Sequence, residues 1–229
     1  MITLAAAILL LPGCSSLTPA STEHTSTPQA QATALPEETK SPPAPDPTST
    51  AVTVSTAPSD LSFEAGSALD GGDWNMGWGD AFPSDPTFSV LSPDDGHGSY
   101  SYTDGANQCR LFFYQGSVTD IDMTKDDRTI SDEFLVTMLT GTVTGATVED
   151  VAAHAYDDTV LQHPGPGTAA TRTIWGTAQD GSTWLHSARM FGALGAGVYV
   201  GITCPAGQDA QGELRKLTDQ YIRLIVTPM

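Results

Sequence analysis

A chain of 229 residues carrying 27 acids against 9 bases, a formal charge of −18, would be repelled by phosphate backbones and anionic lipid head groups, which excludes nucleic acid as a partner. The plain reading of the excess is that surface acids keep an exported protein soluble; a functional anionic patch is the alternative. With the first fifty-odd residues poor core material, about 170 residues remain, ample for one domain with a proper hydrophobic core.

Residues 1–13 have the composition of an export signal. Ile2 to Leu11 is an uncharged apolar run of about ten residues, whereas a bilayer span needs roughly twenty. Leu11-Pro12-Gly13-Cys14 resembles a bacterial lipobox, with small polar residues following the cysteine. That resemblance implies cleavage before Cys14, attachment of diacylglycerol to its sulfur, and anchoring to the outer face of a cell membrane. Each buried acyl methylene would add about 0.8 kcal/mol to the hold. A buried cysteine of a soluble helix is the other reading of Cys14, and the sequence that follows disfavours it. Residues 14–59 are Ser, Thr, Pro, Ala and Gln with few large apolar side chains, as in Ser41-Pro42-Pro43-Ala44-Pro45. Such a segment cannot bury enough apolar area to offset its ordering entropy. It reads as a semi-extended tether, at roughly 3 Å per residue, holding the remainder on the order of 100 Å from the membrane. A recognition peptide or an O-glycosylated stalk is the alternative.

Residues 60–229 form the expected domain. Its first stretch places Trp74 and Trp78 among Gly71, Gly72, Gly77 and Gly79, with Asp70, Asp73, Asn75 and Asp80 between them. Counted from Asp73, a calcium loop would need glycine at the sixth place and Glu at the twelfth. Glycine falls at the fifth and seventh instead, and no Glu closes the loop. We expect an irregular acid-lined wrap with its tryptophans packed on the domain, or an exposed aromatic platform, which makes Trp74 and Trp78 candidate ligand contacts.

Three strands in a meander are predicted next, over residues 87–91, 99–103 and 108–115, with turns at Pro93-Asp94-Asp95-Gly96 and Asp104-Gly105. In the third, Cys109, Leu111 and Phe113 alternate with Phe112 and Tyr114, which predicts a strand covered on both faces. Two helices follow. The first, capped by Thr129 or Ser131 and stopped by Gly141, would bury Phe134, Leu135, Met138 and Leu139. The second opens on a Thr147–Asp150 capping box and would bury Val148, Val151, Ala152 and Ala155, leaving Asp150, His154 and Asp158 on its outer face. That carboxylate–imidazole cluster reads as a solvated helix face rather than a metal or general-base site. A hairpin around Asp180-Gly181 comes next, and on its second strand Trp184, His186, Ala188 and Met190 share one face. His186 is either a half-buried core histidine or a residue lining a pocket.

The chain closes with a strand from Val198 to Cys204 and an amphipathic helix over 214–226 that would bury Leu214, Leu217, Tyr221 and Leu224. Cys109 and Cys204 both fall in the inward phase of their strands, and in an exported protein two such cysteines are expected to form a disulfide. The fold class is therefore α+β, an antiparallel sheet of about six strands flanked by helices. Residues 171–191, the strand Val198-Tyr199-Val200-Gly201-Ile202-Thr203-Cys204 and the closing helix resemble the Mog1/PsbP-like fold, particularly its secreted bacterial lipoprotein branch. The resemblance implies a non-catalytic binding or accessory role. G-x-S-x-G, H-E-x-x-H, Walker and Rossmann motifs are missing, as are CxxC and zinc-type clusters. The expectation is a monomeric, lipid-anchored extracytoplasmic module with no cofactor and no metal, binding an envelope protein or an apolar ligand. An extracellular hydrolase or metal-dependent enzyme, working through His186 or His154, is the alternative.

Overall fold

The computed structural model describes residues 57–65, 69, 73–143 and 145–229. Cys14, the tether before Ala57, and Asp70, Gly71 and Gly72 lie outside the described residues. Among those described, no helix is long and apolar enough to cross a membrane.

The expected meander forms β3 (Phe88–Ser92), β4 (Ser99–Asp104) and β5 (Arg110–Ser117). The hairpin forms β7 (Thr168–Thr177) and β8 (Thr183–Phe191), and the late strand is β9 (Ala196–Cys204). Helix α1 (Asp127–Leu139) takes its cap from the carboxylate of Asp126, one turn earlier than either Thr129 or Ser131, because an Asp at that place accepts from the Thr129 amide. Helix α2 (Val148–His154) carries both halves of the Thr147–Asp150 capping box. Val151 is its buried residue, and Ala152 is exposed.

The strand count is corrected upward, to ten in a mixed sheet. Three of the added strands build one end of it. The Trp74–Trp78 stretch is not an irregular loop but β2 (Trp74–Gly79), alternating Trp74, Met76 and Trp78 at period two. Helix α2 stops at His154, so Asp158 belongs instead to β6 (Tyr156–His163), and the three-residue outer face does not exist. The closing helix α3 (Ala210–Gln220) ends two turns early, and Leu224 lies on β10 (Arg223–Pro228). Ile225, Val226 and Thr227 are β-branched, and β10 gains partners on both edges, antiparallel to β2 and parallel to β6. The strand order is β2-β10-β6-β7-β8-β9-β5-β4-β3, with a short β1 (Asp60–Leu61) parallel to β7.

This sheet curls until its first strand meets its middle: the Trp78 amide donates to Gln115 Oε1 on β5 (2.5 Å) and the Trp78 indole Nε1 to the Tyr199 carbonyl on β9 (2.8 Å). The concave face buries Leu111, Phe113, Val160, Leu185, Val198, Val200, Ile202, Leu224 and Val226 around Leu214 and Leu217 of α3. Phe82 fills the open end, its ring stacked on Tyr221 and against Phe88 and Tyr102. The convex face is covered by α1 and α2, through Ile130, Phe134, Leu135, Leu139 and Val151 packed on Ala188, Met190 and Tyr199. The cover is incomplete over β5, where Phe112 is 40% exposed, so the expectation of a strand buried on both faces holds only for its Leu111–Phe113 side. Cys109 and Cys204 are joined by a disulfide at the end where β5 and β9 pair.

Candidate functional site

The concave face leaves a void of about 210 Å³ between α3 and the middle strands. Its floor is polar in an otherwise apolar layer. Thr171 and Thr173, two apart on β7, point the same way, and Ser187 is the partner of Thr173 across the β7–β8 pair. All three are buried. Their hydroxyls form a short chain, Thr171 to Thr173 at 3.5 Å and Thr173 to Ser187 at 2.9 Å. A hydroxyl can donate once and accept twice, so this chain retains hydrogen-bonding capacity towards the void.

The walls are Val160, Leu185, Val200 and Leu214, with Trp78 brought in by the curl of the sheet. Tyr156 accepts a bond from Gln211 Nε2 (3.2 Å), tying β6 to α3, and burial raises the Tyr156 hydroxyl above the ordinary phenol range. Asp158, Arg215 and Asp219 stand around the mouth. The arrangement can bind; it holds no nucleophile paired with a base.

The residues singled out in the sequence are not brought together. Trp78 lines this cavity, whereas Trp74, at the far end of the same strand, is half-buried against the core and neither residue forms an exposed platform. His186 lies on the opposite face of the sheet, 4% exposed, against Trp184 and Tyr199. His154 is exposed, with Nδ1 bonded to the Asp150 carbonyl of its own helix (2.8 Å). Asp80 receives the Tyr102 hydroxyl (3.4 Å), and burial raises its carboxyl pKa. Among the described residues no group of three or more His, Cys, Asp or Glu is placed to hold a metal ion. The hydroxyl chain was not anticipated. The signal for it was a polar residue, Ser187, in the inward phase of Leu185 and Phe191, facing a Thr-x-Thr on the neighbouring strand.

Burial depresses the His186 imidazolium pKa from 6.5 to about 4. The unfolded chain therefore takes up this proton at higher pH than the folded one. The stability that follows from a neutral His186 is complete above about pH 6.5 and is lost as pH falls towards 4. The expected loss from this group is about 3 kcal/mol. Urea unfolding of the native chain and of His186→Phe across that window checks it: the native chain should lose about 3 kcal/mol more than the variant as pH falls from 6.5 to about 4, and parallel curves would refute the assignment.

No protein-family model matches the chain, and a search of the curated proteins finds no match to it.

Proposed function

We propose that the protein is a non-catalytic binding module on the outer side of a cell membrane, held there through a lipidated Cys14, and that the cavity beneath α3 holds its ligand. The observation that carries this reading is the chain of three buried hydroxyls facing a void beside an indole ring. A purely apolar chain in that void would offer nothing to the donor and acceptor capacity the three hydroxyls keep beyond the bonds they make to one another. An uncharged polyol of monosaccharide size would pair with them and lay its apolar ring face on Trp78. The volume, below the roughly 300–1,000 Å³ of drug-sized pockets, fits a ligand of that class. The resemblance to Mog1/PsbP-like lipoproteins supports the binding role: the hairpin and the strand that carry it are present, although the closing helix ends at Gln220.

Titration with a panel of monosaccharides and a fatty acid, read by tryptophan fluorescence, tests the ligand. A sugar should bind saturably, and Ser187→Leu, which fills the void, should weaken binding by at least about tenfold. Quenching by the fatty acid alone, or sugar binding unchanged in Ser187→Leu, would overturn the reading. Intact-mass measurement of the mature N-terminus tests the anchor: acyl mass is expected on Cys14, and Cys14→Ser should release the protein into the medium.

A further inference from the structure

The cover on the convex face stops at the C-terminal end of α1. Beyond Met138, Gly141 and Thr142 a groove of about 400 Å³ lies open over Phe112 and Leu91. Leu91 is 54% and Phe112 40% exposed. Strand pairing accounts for the trough. Phe112 on β5 stands opposite Ser101 on β4 and opposite Gly201 on β9, two residues too small to cover its ring.

Two residues nearer the start of β5, about 7 Å along the strand, the surface turns polar. Arg110 shares the face of Phe112 and stands opposite Thr103 on one side and Thr203 on the other. Directly opposed residues project from the same face, so a guanidinium rises there between two hydroxyls. Arg110 is exposed, and no ion pair engages it among the described residues. Asp180, which lines the adjoining hollow, is held by the Ser182 amide (3.0 Å) and hydroxyl (2.6 Å). Of the side chains lining the groove, Arg110 alone is charged at neutral pH, since burial keeps the His186 imidazole neutral.

We infer that this groove binds a single-chain amphiphile whose head is a singly charged oxyanion, a carboxylate in the simplest case. The head pairs with Arg110 between the two threonines, and the hydrocarbon lies over Phe112 towards Leu91 and Met138. One arginine matches one negative charge. Its forked N–H donors suit two oxygens on one atom, and a hydroxyl on either side can donate to the same head. A cationic head would meet like charge at Arg110, and a neutral one would forgo the charge-assisted bonds. The volume lies within the roughly 300–1,000 Å³ of small-ligand sites. The groove is on the opposite face of the sheet from the cavity under α3, so neither proposal depends on the other.

The test titrates the full chain with decanoate, decanol, decyltrimethylammonium and acetate, read by calorimetry and by backbone NMR. Physiological ionic strength screens the chain's acids lying beyond about 8 Å from the head. Decanoate should bind saturably, and the other three at least about tenfold more weakly. Amide shifts should centre on Arg110, Phe112 and Gly201 and spare Thr173 and Ser187. Arg110→Gln should bring decanoate down to the level of decanol without moving the unfolding midpoint. Phe112→Thr, which keeps a strand-forming residue, should weaken both. Decanol, the cation or acetate binding as tightly as decanoate would overturn the inference. So would decanoate affinity that survives Arg110→Gln or Phe112→Thr, or shifts centred on Thr173 and Ser187, which would place the chain beneath α3.

Discussion

Asp127→Ala is expected to destabilise the protein by about 3–5 kcal/mol, the cost of leaving a buried charge without its partner. Arg189, on β8, is 0% exposed, and its Nη2 donates to Asp127 Oδ2 at 2.8 Å. The remaining support for the guanidinium is weaker: the carbonyls of Ser62 (3.2 Å) and Ala170 (3.4 Å), and the faces of Phe63 (4.3 Å) and Phe191 (4.7 Å). Its Nε has no partner among the described residues. Burial lowers the guanidinium pKa to about 10 against the opposing pull of Asp127, so the group is still charged at neutral pH. Asp127 also accepts from the Gly192 amide (3.0 Å), and it stands in the first turn of α1, where a negative charge is favoured by the helix dipole. The Asp127–Arg189 pair thus ties the start of α1 to the end of β8, and its guanidinium holds the Ser62 carbonyl. Arg189→Met on the Asp127→Ala background removes the stranded charge and should recover part of the loss. Denaturant unfolding of the single and double variants measures both. A single-variant loss below about 1 kcal/mol would show that water reaches the guanidinium.

The sequence made legible those elements whose signal is local. β3, β4, β5, β7 and β8 alternate at period two between Asp- and Gly-containing turns, and α2 carries its capping box within four residues. The elements that escaped, β2, β6 and β10, owe their state to one another. Leu214, Leu217, Tyr221 and Leu224 are spaced for a helix face, but Leu224 and Val226 also alternate for a strand. What selects the strand is the presence of open edges on β2 and β6, which come from far along the chain. Trp78 shows the same limit. Glycines on either side made its stretch read as a loop, yet at Gly77 and Gly79 those glycines admit the side chains of Gln115 and Ile225, which a Cβ would meet at 2.7 and 2.6 Å. The candidate site was half legible for a related reason. Trp78 and His186 were visible as residue types, but which face of a ten-stranded sheet each would take depended on strands that had not been recognised.

Removing the disulfide is expected to cost about 4 kcal/mol. The bond closes a loop of 95 residues that contains α1, α2, β6, β7 and β8, and in the chain-entropy model the loss of freedom falls on the unfolded chain. The folded state has little need of the link. β5 and β9 are already paired from Arg110–Thr203 to Ser117–Ala196, and the Cys109 and Cys204 Cα atoms are 4.2 Å apart. Two consequences separate this account from one in which the bond holds native strands together. The Cys109→Ala/Cys204→Ala variant should retain the native near-ultraviolet spectrum and the same curled sheet at low denaturant. Its unfolding should begin at lower urea concentration with a steeper dependence, because the unlinked chain exposes more surface when it unfolds. An unchanged midpoint would mean that the unfolded chain keeps the two strands close without the bond. A variant that loses its tertiary spectrum before any urea is added would instead place the stabilisation in the folded state, with the buried cysteines as part of the core that includes Leu111 and Ile202.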